Sequence, residues 1–334
     1  MNIFVTGATG FVGSHLTEAL LAKGHSVRIL VRSENKLATV FGEGFADRPD
    51  VTIVRGSLTD INSLEEGCRN ADAVFHLAAL TAARNRQELH AINAGATKTL
   101  TAVAREHAPS LSRFVYVSTA AAAGPSKTDL PVTEADPPRP ASQYGWSKLA
   151  GEEAVTNSGL PFNVIRPPVV YGPRDVEGLT LFKIAKTGIN FVFGDGSQQL
   201  SFIYGPDLAE WMARLLETPT ENKTFFASHD AIHNQIEYAA LIYRAVDPRR
   251  SKRSPFTIKV PGLLARGVLG VTGGLAKVVG KATLLNSDKA NEFLAEAWTC
   301  DSSALRTQTG WAPPTSMEDG LRLAADWYRE AGWL

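Results

Sequence analysis

The sequence predicts an α/β protein built on a doubly wound parallel sheet, and three observations support this prediction. Short apolar runs of strand length recur through the first half of the chain, from NIFV at 2–5 to PFNVIRPPVVYGP at 161–173. Each run is followed by loop and helix signals. A glycine-rich turn joins the first run to the first helix. Strands that alternate with helices in this way form parallel sheets with helices on both faces.

Composition limits the classes of function before any motif is considered. The chain has 334 residues, of which 44% are hydrophobic, enough for a sizeable core. Its 34 Lys and Arg residues balance 34 Asp and Glu residues, so we expect neither nucleic acid nor an anionic membrane as a partner. The two cysteines, Cys68 and Cys300, lack the spacing of a metal knuckle or a disulfide framework. With no leader before MNIFV, these features predict a cytoplasmic protein without a metal site or a membrane span.

The first strand and helix flank the stretch TGATGFVG, which contains Gly7, Gly10 and Gly13. Without a Cβ, these residues permit a tight turn, let a pyrophosphate approach the backbone, and let the helix pack on the strand. The N-terminus of the following helix would then face the phosphates. A plain turn between a strand and a helix is the alternative, because such a loop alone is weak evidence.

The end of the second strand predicts the cofactor. About twenty residues after the last glycine, where a dinucleotide fold contacts the adenosine ribose, the chain has Arg32, Ser33 and Lys36. These groups suit a 2′-phosphate and favour NADP. A solvated surface arginine is the alternative, and the nearby Glu34 keeps NAD possible.

A third feature points to catalysis. The proline-rich stretch at 130–143 predicts a surface loop, and YGWSK follows it. In a helix, the spacing of Tyr144 and Lys148 puts both side chains on one face. A neighbouring ammonium lowers the pKa of a phenol, which makes proton exchange with an alcohol or ketone feasible. An ordinary helix face is the alternative.

Taken together, seven segments resemble those of the extended short-chain dehydrogenase/reductases, also called the NAD-dependent epimerase/dehydratase family. They occur in the family's order over nearly the whole chain: TGATGFVG, VFHLAA, NAGAT, VYVSTAAAAG, YGWSK, RPPVVYGP and GDGSQQLSFIYGPDLAE. The resemblance implies a Rossmann fold that binds a nicotinamide dinucleotide.

The resemblance also implies roles for individual residues. Tyr144 would be the acid/base, Lys148 its electrostatic partner and ribose anchor, and Thr119 the group that orients the reacting oxygen. Asn93 would brace the active-site helix. Besides Tyr144 and Lys148, the cofactor would contact Gly7, Thr9, Gly10, Phe11, Val12, Gly13, Arg32, Lys36, Ser57, Leu58, Leu77, Ala78, Ala79, Pro168 and Val170, and the substrate would contact Ser118, Tyr171 and Leu200.

Departures from the family pattern bear on the substrate. Ala123 and Ser57 replace a usual Tyr and Asp, which puts one substrate contact and one adenine contact in question. Nucleotide-sugar epimerases that resemble this chain carry an arginine for the diphosphate where Leu200 stands. An apolar side chain would leave that dianion poorly compensated. Another basic residue, such as Arg174 or Lys183, is the alternative.

The C-terminal third predicts how the chain is divided. Residues 1–168, with a returning segment near 205–245, would form the dinucleotide-binding domain, and 169–204 with 246–334 a smaller, mostly helical substrate-binding region. Residues 260–281, rich in Leu, Val and Gly, are too interrupted for a membrane span and predict amphipathic helix and loop. They would cap the pocket, lie against a membrane surface or simply pack in the core. The tail after 297 resembles the family's closing helix pair.

These features predict an NADP-dependent reductase or dehydrogenase that interconverts a ketone and a secondary alcohol on a fairly apolar small molecule. The resemblance favours the branch of 3β-hydroxysteroid dehydrogenases, dihydroflavonol reductases and 3-oxoalkanoate reductases. We also expect a homodimer. The alternatives are a nucleotide-sugar epimerase or dehydratase, and a binding protein that senses NADP without turnover.

Overall fold

The computed structural model describes residues 1–250, 253–262, 264 and 291–334. Its main sheet has seven strands, and all neighbouring strands are parallel. The strands are β1 (Asn2–Thr6), β2 (Ser26–Val31), β3 (Val51–Arg55), β4 (Ala73–His76), β5 (Arg113–Val117), β6 (Phe162–Arg166) and β10 (Lys223–Phe226). They lie in the order β10-β6-β5-β4-β1-β2-β3, so the direction of winding reverses between β1 and β4. The predicted doubly wound parallel sheet is confirmed, and ligands of such sheets bind at this reversal.

Helices cover both faces of the main sheet. The elements are α1 (Phe11–Ala22), α2 (Asn35–Phe41), α3 (Ile61–Cys68), α4 (Arg86–His90), a π-helical turn (Ala91–Ala96), α5 (Thr97–His107), α6 (Ala120–Ala123), α7 (Gln143–Thr156), α8 (Leu179–Lys186), α9 (Gly205–Arg214), α10 (Gln235–Val246), α11 (Ser303–Thr309) and α12 (Met317–Glu330). One core cluster joins the sheet to α1 and α9, and a second joins the other face to α3, α5 and α7. The proline-rich stretch at 130–143 forms no helix or strand before α7 begins at Gln143.

Two smaller sheets stand beside the main one. In the first, β9 (Gln199–Tyr204) pairs with β7 (Val169–Tyr171), β11 (Ile232–Asn234) and β13 (Ala297–Trp298). In the second, β8 (Ile189–Phe193) pairs with β12 (Phe256–Val260). A third core cluster lies between β7, β9, α8, α10 and α12. The part of the chain predicted to bind substrate therefore contains sheets as well as helices.

The packing bears on two of the predicted domain limits, and the division itself stays a prediction. The returning segment enters the main sheet only as far as β10, because α10 packs against α8 and α12 in the third cluster. Leu305 of α11 packs in the first cluster, so part of the C-terminal tail belongs with the dinucleotide-binding core. Of the predicted cap at 260–281, all but 260–262 and 264 lies outside the described residues.

Within the described part of the chain, no helix is long and apolar enough to cross a membrane. The same residues include no group of three or more His, Cys, Asp or Glu side chains that could hold a metal ion.

Candidate active site

The glycine-rich loop lies at the carboxyl end of β1. A Cβ on Gly7, where φ is +78°, would come within 2.6 Å of the backbone nitrogen of Ala78 after β4, and one on Gly13 within 2.1 Å of the Gly7 carbonyl oxygen. Side chains are therefore excluded where the loop meets α1. Gly10 precedes the first turn of α1, and no side chain caps the helix there. This arrangement leaves the amide groups at the helix N-terminus available to phosphate oxygens.

The basic residues expected at the adenosine ribose follow β2. Arg32 and Lys36 are both exposed, with Lys36 in the first turn of α2. Glu34, the acid that kept NAD possible, accepts a hydrogen bond from the guanidinium of Arg55 at the end of β3. That contact lowers the pKa of the Glu34 carboxyl. The acid at this strand end is thus paired with Arg55.

Residues after β3, β4 and β6 complete the cofactor side. Because these strands are parallel, the loops that follow them meet at one edge of the sheet. Ser57 and Leu58 follow β3 and are partly buried, with the hydroxyl of Ser57 3.0 Å from that of Thr59. The remaining members of the predicted set are also partly buried beside this edge: Thr9, Phe11, Val12, Leu77, Ala78, Ala79, Pro168 and Val170.

Asn93 connects three elements from within the π-helical turn, a local geometry common at functional sites. Its side chain accepts a hydrogen bond from the Leu80 backbone N–H (2.8 Å) and donates one to the Leu80 carbonyl (2.9 Å). It also donates to the hydroxyl of Ser147 in α7 (3.0 Å). Asn93 thereby joins the loop after β4 to the helix that carries Tyr144.

The structure brings together Thr119 and Tyr144. Thr119 follows β5, and Tyr144 lies in the first turn of α7, whose start is capped by the Ser142 hydroxyl. The hydroxyl of Thr119 is hydrogen bonded to the Tyr144 phenol and opposes a rise in its pKa. Burial raises that pKa well above its usual value, and the carboxylates of Glu292 and Glu177 raise it further. In this environment the phenol is held protonated, as a proton donor must be.

Lys148 lies on the same helix face but points to the end of β5. Its ammonium donates to the Val117 carbonyl (2.8 Å) and lies 4.1 Å from the centre of the Tyr116 ring. The side chain is 1% exposed. Burial lowers the pKa of Lys148 from 10.5 to about 7, and the carboxylate of Glu152 opposes this change. A lysine with such a pKa can change its charge near neutral pH.

The three residues predicted to contact substrate lie in different surroundings. Ser118 is buried and donates its hydroxyl to Glu152, and its contact with substrate stays a prediction. Tyr171 is 1% exposed and packs in the third cluster against Phe202 and Tyr204. The contact of Tyr171 with substrate likewise stays a prediction.

Leu200, in contrast, remains partly accessible. It lies on β9 opposite His233 and Trp298 and packs against the edge of the third cluster. Arg174, one of the two alternative diphosphate ligands, forms a two-point ion pair with Glu18 of α1 (2.7 and 2.9 Å). Its guanidinium is thus already committed to a carboxylate.

Sequence reasoning missed the acidic residues around Tyr144. Glu177 follows β7 and accepts a hydrogen bond from Thr81 (3.3 Å), and Glu292 precedes β13. Neither has a local sequence signal, because both approach Tyr144 only through the fold. Glu152 does have a local sequence signal, because it continues the four-residue spacing of Tyr144 and Lys148.

The fold and the glycine-rich loop define a class of protein: an oxidoreductase that uses a nicotinamide dinucleotide. A family model described as the NAD dependent epimerase/dehydratase family matches residues 3–226. The chain therefore belongs to this family, that of the extended short-chain dehydrogenases, and is an NAD(P)-dependent enzyme.

Relatives and solved structures agree with this assignment. The chain is 27% identical to a ceramide reductase of Caulobacter vibrioides, over 99% of this chain and 96% of the relative. It is 29% identical to a 4-hydroxy-2-methyl-3-oxo-4-farnesyl-3,4-dihydroquinoline-1-oxide ketoreductase of Stigmatella aurantiaca, over 99% and 97%. A structure of UDP-glucuronic acid 4-epimerase from Bacillus cereus with NAD has a TM-score of 0.77 at 22% identity, and the match covers all of both chains. At this level of identity, the likeness shows that the two chains share a fold.

Proposed function

We propose that this protein is an NADP-preferring reductase or dehydrogenase that interconverts a ketone and a secondary alcohol on a neutral, fairly apolar small molecule. The observation that carries the proposal is that neither Leu200 nor Arg174 offers a free cation to a sugar diphosphate, while Lys183, the other basic residue considered, lies exposed on α8. Leu200 is apolar, and Arg174 is paired with Glu18. A dianion beside Leu200 and Arg174 would receive a charge-assisted hydrogen bond from neither residue.

The charge around Tyr144 supports the same substrate class. Both Glu177 and Glu292 act on the phenol strongly enough to raise its pKa. A substrate carboxylate beside the reacting carbonyl, as in a β-keto acid, would be repelled by these groups. The ketoreductase among the relatives agrees with a ketone substrate.

Cofactor preference rests on the groups at the end of β2. Arg32 and Lys36 are exposed and cationic there, while Glu34 is engaged by Arg55. A 2′-phosphate would meet two positive charges and little repulsion. NADP is therefore the preferred dinucleotide, with NAD the second.

Each residue of the candidate site has a separate role in the proposed reaction. When bound, the nicotinamide supplies or accepts the hydride. Tyr144 transfers the proton to or from the substrate oxygen, and Thr119 holds that oxygen in position. Lys148 in its ammonium form stabilises the phenolate that Tyr144 becomes, and Asn93 keeps α7 in place against the loop after β4. The enzyme proposed here is a homodimer. It works in the cytoplasm, where reduced NADP is available.

A substrate panel tests the proposal. The purified chain is incubated with NADPH or NADH and with neutral ketones, β-keto acids, or UDP- and dTDP-sugars. Cofactor oxidation is followed by absorbance, and sugar conversion by chromatography, since epimerisation consumes no cofactor. We expect turnover of neutral ketones, faster with NADPH. Conversion of a nucleotide sugar alone would refute the substrate class, and tight NADPH binding without any turnover would favour the sensor.

A further inference from the structure

Three residues of α7 lie on one face at four-residue intervals: Tyr144, Lys148 and Glu152. The first two belong to the proposed reaction, and Glu152 has no role in it. Glu152 is 4% exposed, an unusual position for a carboxylate. It lies one helical turn beyond Lys148, on the side away from Tyr144.

Glu152 is held by two further elements. Arg166 of β6 donates two hydrogen bonds to its carboxylate, from Nε (2.9 Å) and from Nη2 (2.6 Å). Ser118, after β5, donates a third through its hydroxyl. The guanidinium also lies 5.6 Å from the centre of the Phe226 ring of β10. This buried network fixes the carboxylate relative to the sheet, so it cannot turn toward solvent.

Buried ion pairs of this kind seldom add net stability over a well-packed apolar pair, because both charges lose their hydration. We therefore expect the ion pair of Glu152 and Arg166 to have a role besides stability. The position next to Lys148 suggests one, because a fixed carboxylate favours a cation nearby.

The groups that face Lys148 differ in whether they raise or lower its pKa. His76 of β4 and the Tyr116 ring and Val117 carbonyl of β5 surround it. Burial among them favours the neutral amine, whereas Glu152 favours the ammonium. Among these groups Glu152 supplies the negative charge, and Arg166 determines how much of that charge is already neutralised.

We propose that Glu152 is a positioning residue for Lys148, and that its ion pair with Arg166 sets how readily Lys148 keeps the ammonium form beside Tyr144. The catalytic meaning of this role rests on the proposed function. The electrostatic coupling itself does not, because it exists in the resting protein.

The test compares three variants whose expected effects differ in sign. Glu152→Gln removes the carboxylate and should lower the pH at which Lys148 loses its proton, by about one unit. Arg166→Met frees the carboxylate from its partner and should raise that pH. Glu153→Gln, at the exposed neighbouring position of α7, is the matched control and should change nothing.

Two readouts keep this proposal separate from the proposed function. The first is the titration of the Lys148 side-chain carbon resonance in protein labelled with ¹³C-lysine, assigned by its disappearance in Lys148→Met. The second is the alkaline limb of the pH profile of kcat/KM on a ketone substrate. We expect both to move in the same direction in each variant. A shifted resonance in a protein that turns over no ketone would uphold the coupling while refuting the function.

A merely structural role predicts another outcome. Both variants would then lose thermal stability and change kcat/KM by a constant factor at every pH, with the Lys148 titration unmoved, and this would overturn the proposal. If a single variant does not fold, Glu152→Gln combined with Arg166→Met leaves no unpaired buried charge. The double variant should still lower the titration pH, and an unchanged value would overturn the proposal.

Discussion

The hydroxyl of Thr119 is hydrogen bonded to the phenol of Tyr144, although 25 residues separate them along the chain. Thr119 is held at the end of β5, where its side chain also accepts a hydrogen bond from the Ala121 backbone N–H (3.2 Å). Tyr144 is held by the capped start of α7. The pair is therefore positioned by two independent elements that meet at the edge of the sheet.

Replacing Tyr144 by Phe should separate binding from catalysis. The ring is kept and the hydroxyl removed, so NADPH should still bind while turnover falls by roughly a hundredfold or more. Fluorescence titration of NADPH and initial rates on the best ketone measure the two effects. Thr119→Ser, which keeps a hydroxyl, is the control and should retain most activity. Full activity of Tyr144→Phe would show that the phenol is only part of the helix surface.

Replacing Arg32 by Asp should shift the choice of dinucleotide toward NAD. The change removes a charge-assisted contact with the 2′-phosphate and adds repulsion, with an effect on the order of 1–3 kcal/mol. Calorimetric titration with NADP and NAD gives the ratio of dissociation constants. Arg105→Asp, an exposed site on α5, controls for net charge. If the affinities for both dinucleotides stay as they were, Arg32 is a solvated surface residue.

Replacing Leu200 by Arg should weaken a hydrophobic ketone without creating tight binding of a sugar nucleotide. The guanidinium would stand against apolar surface, and we expect the KM to rise roughly tenfold. Leu200→Met, which is apolar and of similar size, should leave KM nearly unchanged. UDP is titrated against all three proteins. Tight binding of UDP by the wild type would overturn the apolar-substrate proposal.

A buried histidine predicts how stability depends on pH. His76 lies between the hydroxyls of Thr6 (2.7 Å) and Thr97 (2.9 Å). Burial lowers its pKa from 6.5 to about 3, and the charge of Lys148 adds to this effect. Between these values the unfolded chain binds a proton that the folded chain does not. Folding stability should therefore fall as the pH falls below 6.5.

The contribution of His76 can be isolated by substitution. Between pH 6.5 and pH 5, it should account for about 2 kcal/mol of lost unfolding free energy. His76→Gln should lack this loss, whatever its stability at higher pH, and His107→Gln, a partly exposed site, should keep it. Urea unfolding at both pH values measures the difference. Equal losses in wild type and His76→Gln would mean that the imidazole is protonated in the folded state.

The sequence predicted the sheet because local pattern carries that information. Apolar runs of strand length and a turn of three glycines depend on neighbouring residues alone, so the doubly wound fold and the position of its glycine-rich loop were predictable. The spacing of Tyr144 and Lys148 also lies within one helix. The closing helix pair α11 and α12 was expected only from the resemblance of the tail to the family.

Contacts between distant segments were decided only by the tertiary structure. Ser118 is adjacent to Thr119, yet its hydroxyl is turned to Glu152, because successive residues of an extended segment point to opposite sides. Arg174 meets Glu18 across 156 residues. Glu177 and Glu292 reach Tyr144 from separate loops. Charge at this site depends on which segments the fold brings together, and no local pattern of residues encodes that.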